Sequence, residues 1–487
     1  MSLSVSSTAA MRFGYGLRPS QPGISGPDDL LTQVERGAAT APMFPHEGIA
    51  GRRERINLYR ATSKDITARQ KLGEPVEELT RARNKEVSAG LRADCEARIA
   101  QAVLSPNGFH ERLASFWTNH FAISTFKSPL MRIMVPGFEA EVIRPLLKGR
   151  FAELVRAVSL HPAMLIYLDQ PQSTGPNSAI GLEKGKGINE NFARELIELH
   201  TLGVQGGYHQ TDVRQAAFVL SGLAINLETM QVRFRDRWAE PGTFTVLGQT
   251  YGGEMRGMDD CLDLFDDLCS HPSTAKHICR KLAVHFVSDE PPQALVDEMV
   301  AAWTRSDGDL TRVYQAMVHH PAAWENPGAK IKLPFDYIVS SLRAFDADEA
   351  MLFGSATEVT VAEPQGMAMA IAPNGMQPAP PPAAPATKLQ VGVNLLRRMG
   401  QQIWAPPSPA GFEDDSASWM NANQLTERIG WARRLASSLG KDRDPRAFAK
   451  MALADAARDE TIHIVGQAPS KEIGIALVLA SPEFNRR

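Results

Sequence analysis

The stretch Asn189-Glu-Asn-Phe-Ala-Arg-Glu-Leu-Ile-Glu-Leu-His-Thr-Leu-Gly203 carries the strongest secondary-structure signal in the chain. Its apolar residues recur at spacings of three and four, the period of an amphipathic α-helix. At about 100° per residue, Phe192, Leu196 and Leu199 cover one face of that helix. Gly203 is a typical helix C-terminal signal. The stretch therefore predicts a helix that buries its apolar face and ends near Gly203.

The opposite face of this helix is polar. Asn191, Glu195 and Glu198 fall within about 60° of one another, Arg194 lies at their flank, and His200 lies with the apolar side. Two carboxylates one helical turn apart, with an amide in line, can ligate a hard divalent cation or share a proton as acid and base. This pattern predicts a metal-binding or acid–base site at the acidic face.

The acidic face has two interpretations. In the first, it binds a metal, and Asn189, Glu190 or a histidine from elsewhere would complete the shell around the two carboxylates. Alternatively, the face is solvated and holds only a weak Arg194–Glu198 ion pair, while His200 is a core histidine bound to a backbone carbonyl. Spacing alone leaves both interpretations open.

A second polar cluster lies in Phe116-Trp-Thr-Asn-His-Phe-Ala122. His120 and Asn119 adjoin two aromatic residues, so the imidazole is expected in partly apolar surroundings, which suit a metal ligand, a tuned base or an ordinary buried hydrogen bond. The candidate catalytic and metal-ligating residues are Glu195, Glu198 and His120. The candidate binding residues are Asn119, Asn189, Glu190, Asn191, Arg194 and His200.

Helical periodicity recurs along most of the chain and predicts a mainly α, multi-helix globular fold. The clearest further segments are 91–104, 110–121, 137–147, 151–167, 211–223, 261–287, 292–303, 310–317, 335–345, 423–439 and 445–457. Residues 225–252 differ, because alternation such as Met230-Gln-Val-Arg-Phe-Arg235 predicts a short hairpin or an extended excursion.

Two segments are expected to lack regular structure. Residues 169–187 are rich in Gly, Pro, Ser, Gln and Asn and are expected to form a loop. Residues 363–388 are rich in Pro, Ala and Met, a composition that cannot form a packed core, and predict a mobile insertion.

Composition narrows the function classes. The chain has 487 residues, 43% of them hydrophobic and 22% charged, and a formal net charge of −3. This near-neutral balance excludes a broadly basic nucleic-acid wrapper, and no nucleic-acid partner is expected. Four cysteines without C-x-x-C spacing predict small buried side chains and no disulfide framework: Cys95, Cys261, Cys269 and Cys279.

Segments that would direct the chain to a membrane are not visible in the sequence. The amino terminus lacks a basic start followed by an apolar run, and no stretch of about 18 apolar residues predicts a membrane span. A cytoplasmic protein is the default expectation, and export by a route without such a signal stays open. The hydrolase elbow, His-Glu-x-x-His and Cys-x-x-Cys-His motifs are also absent from the sequence.

Motifs along nearly the whole chain resemble the bacterial domain-of-unknown-function family numbered 1800. The segment Asn189–Gly203 is the most specific of them. The others follow in order: Ala10-Met-Arg-Phe-Gly14, Phe116-Trp-Thr-Asn-His-Phe121, His161-Pro-Ala-Met-Leu-Ile-Tyr-Leu-Asp169, Gly207-Tyr-His-Gln-Thr-Asp-Val-Arg214, Lys281-Leu-Ala-Val-His-Phe286, Lys332-Leu-Pro-Phe-Asp-Tyr337, Gly400-Gln-Gln-Ile-Trp-Ala-Pro-Pro407, Trp419-Met-Asn421 and Ala480-Ser-Pro-Glu-Phe484.

The resemblance implies a mostly helical architecture in which residues 1–487 form a single family unit. It supplies no reaction. It also implies that members are often encoded beside a second family, domain of unknown function 1501, whose proteins resemble sulfatases and alkaline phosphatases. The Pro-rich segment 363–388 is not part of the shared pattern.

Two function hypotheses follow. In the first, favoured because no catalytic signature is complete, the chain is an accessory, binding helical scaffold that works with the co-encoded partner and uses the Asn-Glu-Asn helix as a structural polar network. In the second, it is a metal-dependent, hydrolytic enzyme that uses a divalent metal with Glu195, Glu198 and His120. A haem-binding variant needs only one suitable histidine and ranks third.

Overall fold

Helices dominate the protein, as the apolar periodicity predicts. The computed structural model describes residues 3–226, 229–353 and 392–487. The α-helices of the first part of the chain are α1 Val5–Thr8, α2 Pro27–Ala38, α3 Gly48–Lys71, α4 Glu77–Leu104, α5 Gly108–His120, α6 Pro129–Phe138, α7 Phe151–Ser159, α8 Pro162–Tyr167, α9 Ala179–Lys184, α10 Asn191–Glu195 and α11 Gln210–Leu220.

The second part of the chain is equally helical. Its α-helices are α12 Met258–Ser270, α13 Pro272–Phe286, α14 Gln293–Ser306, α15 Leu310–His319, α16 Pro334–Ala344, α17 Glu349–Phe353, α18 Val393–Arg398, α19 Ala422–Leu439, α20 Pro445–Leu453, α21 Asp459–Gly466 and α22 Lys471–Ala480.

Shorter helical turns link several of these elements. Wider π-helical turns occur at Ala9–Phe13, Glu139–Ile143 and Leu196–Thr201. The 3-10 turns are Arg144–Leu146, Gln170–Gln172, Asp236–Trp238, Pro321–Ala323, Ala417–Trp419 and Ala454–Ala456.

Two of the predicted helical segments are each divided by a proline. The segments 151–167 and 261–287 break before Pro162 and Pro272, because proline lacks the backbone N–H and disfavours the helical conformation of the residue before it. In both cases the preceding histidine caps the new helix. His161 Nδ1 accepts a hydrogen bond from Ala163 N at 3.1 Å, and His271 Nδ1 accepts one from Ser273 N at 3.2 Å.

The extended excursion between α11 and α12 is confirmed as two antiparallel hairpins. Strand β1 (Leu223–Asn226) pairs with β2 (Gln231–Phe234), and β3 (Gly242–Val246) pairs with β4 (Gln249–Gly253). The registers place Leu223 opposite Phe234 and Phe244 opposite Tyr251. The fold class is therefore mainly α with short hairpins.

The expectation that residues 169–187 form a loop is wrong in part. The range contains the 3-10 turn Gln170–Gln172 and α9. Ser178 begins α9 by accepting a hydrogen bond from Gly181 N at its Oγ (3.0 Å), and this cap offsets the poor helix propensity of the segment. The predicted insertion 363–388 lies outside the described residues.

A continuous apolar core joins buried side chains from Ala9 to Phe484. The carboxyl-terminal residues are part of this assembly, because Arg487 N donates to Lys330 O at 2.9 Å and Lys332 N donates to Asn485 O at 2.9 Å. The four cysteines are buried and unpaired, as predicted. Within residues 3–226, 229–353 and 392–487, every helix is too short or too polar to cross a membrane.

Candidate functional site

The Asn-Glu-Asn stretch forms a helix that changes type in its middle. Helix α10 ends at Glu195 and continues as the π-helical turn Leu196–Thr201. The hydroxyl of Thr201 donates to Leu196 O at 2.7 Å and so binds a carbonyl five residues earlier. Gly203 follows with φ 83°, as the predicted C-terminal signal requires. Single π turns occur often at functional sites, which draws attention to Glu195 at this junction.

Two asparagines fix the start of α10 to the segment before it. Asn189 Oδ1 accepts from Asn191 N at 2.9 Å, and Asn189 N donates to Ser173 Oγ at 3.1 Å. Asn191 Nδ2 donates to Leu168 O at 3.4 Å, a longer bond. Both side chains therefore hold backbone together.

Arg194 is the centre of a polar network on the surface of α10. Its guanidinium donates to Glu198 Oε1 and Glu190 Oε2, both at 3.2 Å, and to Gln210 Oε1 at 3.0 Å. Gln210 Nε2 in turn donates to Glu190 Oε2 at 2.8 Å, and this hydrogen bond joins α10 to α11. The Arg194–Glu198 pair expected from the spacing is present, and its members are half-buried.

Glu195 differs from its neighbours because no hydrogen bond reaches its carboxylate from the part of the chain that the structure describes. Burial and the carboxylate of Glu198 raise the pKa of Glu195, and Arg194 opposes them. Two phenols belong to the same environment. Burial and Glu195 raise the pKa of Tyr167 to about 12, and burial and a hydrogen bond to Glu198 raise that of Tyr208 to about 12.

His120 lies on the other, buried side of this helix. Its Nε2 is 3.2 Å from His200 O, and because a carbonyl only accepts, Nε2 carries the proton. Nδ1 then accepts from the Lys281 ammonium at 3.1 Å. The rings of His200 and His277 each lie 6.3 Å from the His120 ring. We call these four residues the histidine cluster.

Burial keeps the imidazoles of the histidine cluster neutral. Burial first and the Lys281 charge second lower the pKa of His120 well below its usual value, that of His200 to about 3 and that of His277 to about 4. Burial lowers the pKa of Lys281 to about 8, so Lys281 is mostly protonated at neutral pH. One buried cation therefore lies among three neutral rings.

Eight of the nine predicted site residues fall into two environments. Asn189, Glu190, Asn191, Arg194 and Glu198 share the network on α10, with Glu195 beside it. His120 and His200 meet on the buried side, where the groups that act on His120 are Lys281, His200 and His277. In residues 3–226, 229–353 and 392–487, no three His, Cys, Asp or Glu side chains are arranged to hold a metal ion. The metal-ligating roles stay a prediction.

Asn119 has a different partner, the loop after α18. Its Nδ2 donates to Phe412 O at 2.9 Å, and its Oδ1 accepts from Phe412 N at 2.7 Å. Gly411 permits this approach, since it has φ 86° and a Cβ at that position would lie 2.4 Å from Asn119 O. Asn119 therefore holds a loop against α5.

A cavity of about 70 Å³ lies where this loop meets α5, α13 and α16. We call it the His285 cavity. Four of the segments that carry the family resemblance contribute to its lining, namely 116–121, 281–286, 332–337 and 400–407. Its ionisable residues are not among the predicted site residues: Arg98, His285, Asp336 and Asp414.

His285 lies between the carboxylate of Asp414 and the guanidinium of Arg112. Its Nδ1 lies 2.7 Å from Asp414 Oδ2, and its Nε2 lies 3.2 Å from Arg112 Nη2. Because arginine only donates, Nε2 accepts and the proton of His285 is on Nδ1. Burial lowers the pKa of His285 against the pull of Asp414. The lone pair that a general base would use is therefore occupied by Arg112.

The two aspartates of the cavity are bound by shared cations. Arg487 reaches Asp414 Oδ1 at 3.2 Å and Asp336 Oδ2 at 3.4 Å, and Arg112 donates to Asp336 Oδ2 at 3.0 Å. Burial disfavours the ionised form of Asp414, yet His285 and the neighbouring cations hold its pKa below the ordinary value. Asp414 is thus a carboxylate, and the ion pairs fix the orientation of both side chains.

These features define a class: a mainly α-helical protein in which long-range polar networks join distant segments around a small cavity. The chain belongs to the family described as Protein of unknown function (DUF1800), which matches residues 8–486. Comparison with curated proteins gave no match, and comparison with solved structures gave none.

Proposed function

We propose that this protein is an accessory, binding helical scaffold that works with a partner protein. One observation carries the proposal: the polar side chains around the Asn-Glu-Asn helix bind one another and nearby backbone. Asn189 and Asn191 hold the segment 168–173, and Arg194 joins α10 to α11. Such bonding is what a structural polar network requires.

The surface of α19 and α22 supports a docking role. These helices lie together, since the Tyr337 hydroxyl is within 3.3 Å of a carbonyl on each. Leu425 and Ile429 are one turn apart on α19 and are 39% and 50% exposed; Ile473 and Leu477 on α22 are 46% and 37% exposed. Single exposed apolar residues are ordinary, whereas a contiguous apolar patch is typical of a protein-binding surface, and we propose that these two pairs form one.

The occupant that we propose for this α19/α22 surface is the co-encoded protein of the domain of unknown function 1501 family, the sulfatase-like partner that the resemblance implies. A scaffold needs a partner, and this surface offers apolar side chains for contact with one. The partner is expected to present a complementary apolar patch with a polar rim.

Co-expression of the two proteins tests the scaffold proposal. The tagged chain is expected to retain the partner through size-exclusion chromatography. The double variant Ile429→Glu/Ile473→Glu should weaken binding by at least about tenfold, because each substitution places a charge in an apolar interface. Leu72→Glu, at a residue 76% exposed elsewhere, is the matched control and should bind normally. A folded monomer that does not bind the partner at micromolar concentration refutes the proposal.

One observation favours a metal-dependent, hydrolytic enzyme as the second candidate. Glu195 is half-buried beside Glu198, has a raised pKa, and receives no hydrogen bond from the described residues. A carboxylate in this state is available to a divalent cation or to a proton in transfer. His120 is on α5 and is bound to His200 O and Lys281, so it would act there only after a rearrangement of α5 relative to α10.

Metal analysis tests this second candidate. We expect protein purified without added metal to contain about one equivalent of a divalent metal, and Glu195→Gln and Glu198→Gln to lose it. Glu460→Gln, at an exposed acid on α21, is the control. Equal metal content in wild type and both variants would rule the candidate out.

A further inference from the structure

The His285 cavity has room for a small ligand. A single water needs about 15 Å³ of such volume, so about 70 Å³ accommodates roughly five non-hydrogen atoms. The Asp414 side chain on its wall is 22% exposed, whereas that of Asp336 is 7% exposed. The cavity therefore has a deep wall at Asp336 and is more open near Asp414.

Arg98 forms a rigid cationic part of the wall. Its guanidinium carbon lies 4.8 Å from the ring centre of Phe335 and 5.6 Å from that of Trp404, and both rings line the cavity. Glu139 Oε2 accepts from Arg98 Nε at 2.7 Å and from Trp404 Nε1 at 2.6 Å. One buried carboxylate thus fixes both the cation and its aromatic neighbour.

Most donors of Arg98 are not used within the protein. A guanidinium has five N–H groups, and one of them makes the bond to Glu139. The next contact, from Nη2 to Ser115 Oγ, is at 3.5 Å, the limit of a hydrogen bond. The Nη edge of Arg98 therefore retains donors for a molecule in the cavity.

The acids near the cavity are already paired with cations. Asp336 and Asp414 are bound by Arg112 and Arg487, and Glu139 is bound by Nε of Arg98. These carboxylates therefore do not occupy the Nη edge of Arg98.

A hydroxyl on the cavity wall has no partner. Thr118 Oγ1 is inaccessible to solvent and makes no hydrogen bond within the described residues. A buried polar atom without a partner destabilises the folded protein, and a ligand oxygen would satisfy it. The neighbouring amide of Asn119 is already used by Phe412. Thr118 is thus a second polar residue of the cavity lining, and its hydroxyl lacks a partner in the part of the chain that the structure describes.

We propose that the His285 cavity binds a small carboxylate of two or three carbons, with the Nη edge of Arg98 paired to the carboxylate and Thr118 bound to the ligand. A carboxylate matches the guanidinium fork through two parallel hydrogen bonds, and its size matches the cavity. This site goes beyond the scaffold function and does not depend on the α19/α22 surface.

Isothermal titration calorimetry with glycolate, acetate and neutral glycolamide tests the proposal on the full chain. Glycolate and acetate are expected to bind with millimolar or better dissociation constants, and glycolamide at least about tenfold more weakly. The variant Arg98→Lys should lose at least about tenfold in glycolate affinity, because an ammonium cannot form the fork. Absence of binding by both carboxylates, or equal binding of glycolamide, overturns the proposal.

A second variant, Thr118→Val, leaves Arg98 unchanged. It therefore tests the proposal even if Arg98→Lys impairs folding. Valine has the same shape and removes an unpaired hydroxyl, so the variant is expected to be as stable as wild type and to bind glycolate at least about threefold more weakly. Ser159→Ala removes another buried unpaired hydroxyl, on α7 and outside the cavity lining, and should bind as wild type does. Unchanged glycolate affinity in Thr118→Val contradicts the role of Thr118.

Discussion

The side-chain amide of Asn119 acts as a short piece of backbone. It exchanges two hydrogen bonds with Phe412, at 2.9 Å and 2.7 Å, and so joins α5 to a loop 293 residues later. Replacing it by alanine leaves one N–H and one C=O without partners. We expect Asn119→Ala to lower the free energy of unfolding by about 1–3 kcal/mol, measured by urea titration.

Asn423 provides the matched control for that measurement. It is exposed on α19, and its amide makes a single long hydrogen bond to Arg398 O at 3.5 Å. Asn423→Ala should therefore change the free energy of unfolding by less than about 0.5 kcal/mol. Equal stability of the Asn119 and Asn423 variants would show that the Phe412 bonds contribute nothing.

Single residues were partly predictable from their sequence neighbours. The aromatic residues around His120 predicted apolar surroundings, and its ring indeed lies 4.5 Å from that of Phe121 and 5.3 Å from that of Trp117. The partner on Nδ1 was not predictable, because Lys281 is 161 residues away and only packing brings it to 3.1 Å. Neighbouring residues in the sequence indicate whether a side chain lies in polar or apolar surroundings. Its hydrogen-bond partners can be residues far away in the sequence, which only packing brings close.

At the scale of elements, the π-helical turn Leu196–Thr201 depends on one hydroxyl. A π turn leaves carbonyls that an α-helix would bind, and Thr201 Oγ1 donates to that of Leu196 at 2.7 Å in the protein interior. We expect Thr201→Val to lower the free energy of unfolding by about 1–2 kcal/mol in urea titration, because a buried carbonyl then loses a hydrogen bond.

Thr304 offers a comparison of the same residue type. Its hydroxyl donates to Val300 O at 2.9 Å on the exposed face of α14, where water can replace the bond. Thr304→Val is expected to cost less than about 0.5 kcal/mol. If the Thr201 and Thr304 variants are equally stable, the π turn does not need its hydroxyl.

The elements themselves were largely predictable, and the exceptions have local causes. Apolar periodicity indicates the helices because it reports which face is buried, but it does not report where a chain bends. The breaks at Pro162 and Pro272 follow from the missing N–H, and the cap at Ser178 produces α9 within an otherwise polar segment. The π turn has no sequence signature of comparable strength.

At the scale of the whole molecule, the histidine cluster makes stability depend on pH. The unfolded chain binds protons at His120, His200 and His277 near pH 6.5, whereas burial lowers the folded pKa of His277 to about 4 and that of His200 to about 3. The unfolded state therefore binds more protons in this window. The contribution of these three histidines to stability is fully present above about pH 6.5 and decreases as the pH falls toward 4.

Urea titrations at several pH values measure this effect. Each neutral buried histidine contributes a slope of up to about 1.4 kcal/mol per pH unit between about pH 6 and 4. His277→Gln should reduce the slope by about that amount. His463→Gln, at an exposed histidine of α21, should leave the slope unchanged. A wild-type stability that is flat between pH 6.5 and 4 would contradict the neutral cluster.

The sequence by itself determined that this protein is mainly α-helical, where most helices lie, that a hairpin or extended excursion interrupts them near residues 225–252, and which family it belongs to. These properties depend on apolar periodicity and on short motifs that follow one another in order along the chain. Both are patterns among residues that are close together in the sequence. Only the tertiary structure decided that Glu195 and His120 lie on opposite sides of one helix, and that Arg98, His285, Asp336 and Asp414 surround one cavity. The reason is that hydrogen bonds and charges act over a few ångströms in space, and packing sets those distances between residues that are hundreds of positions apart.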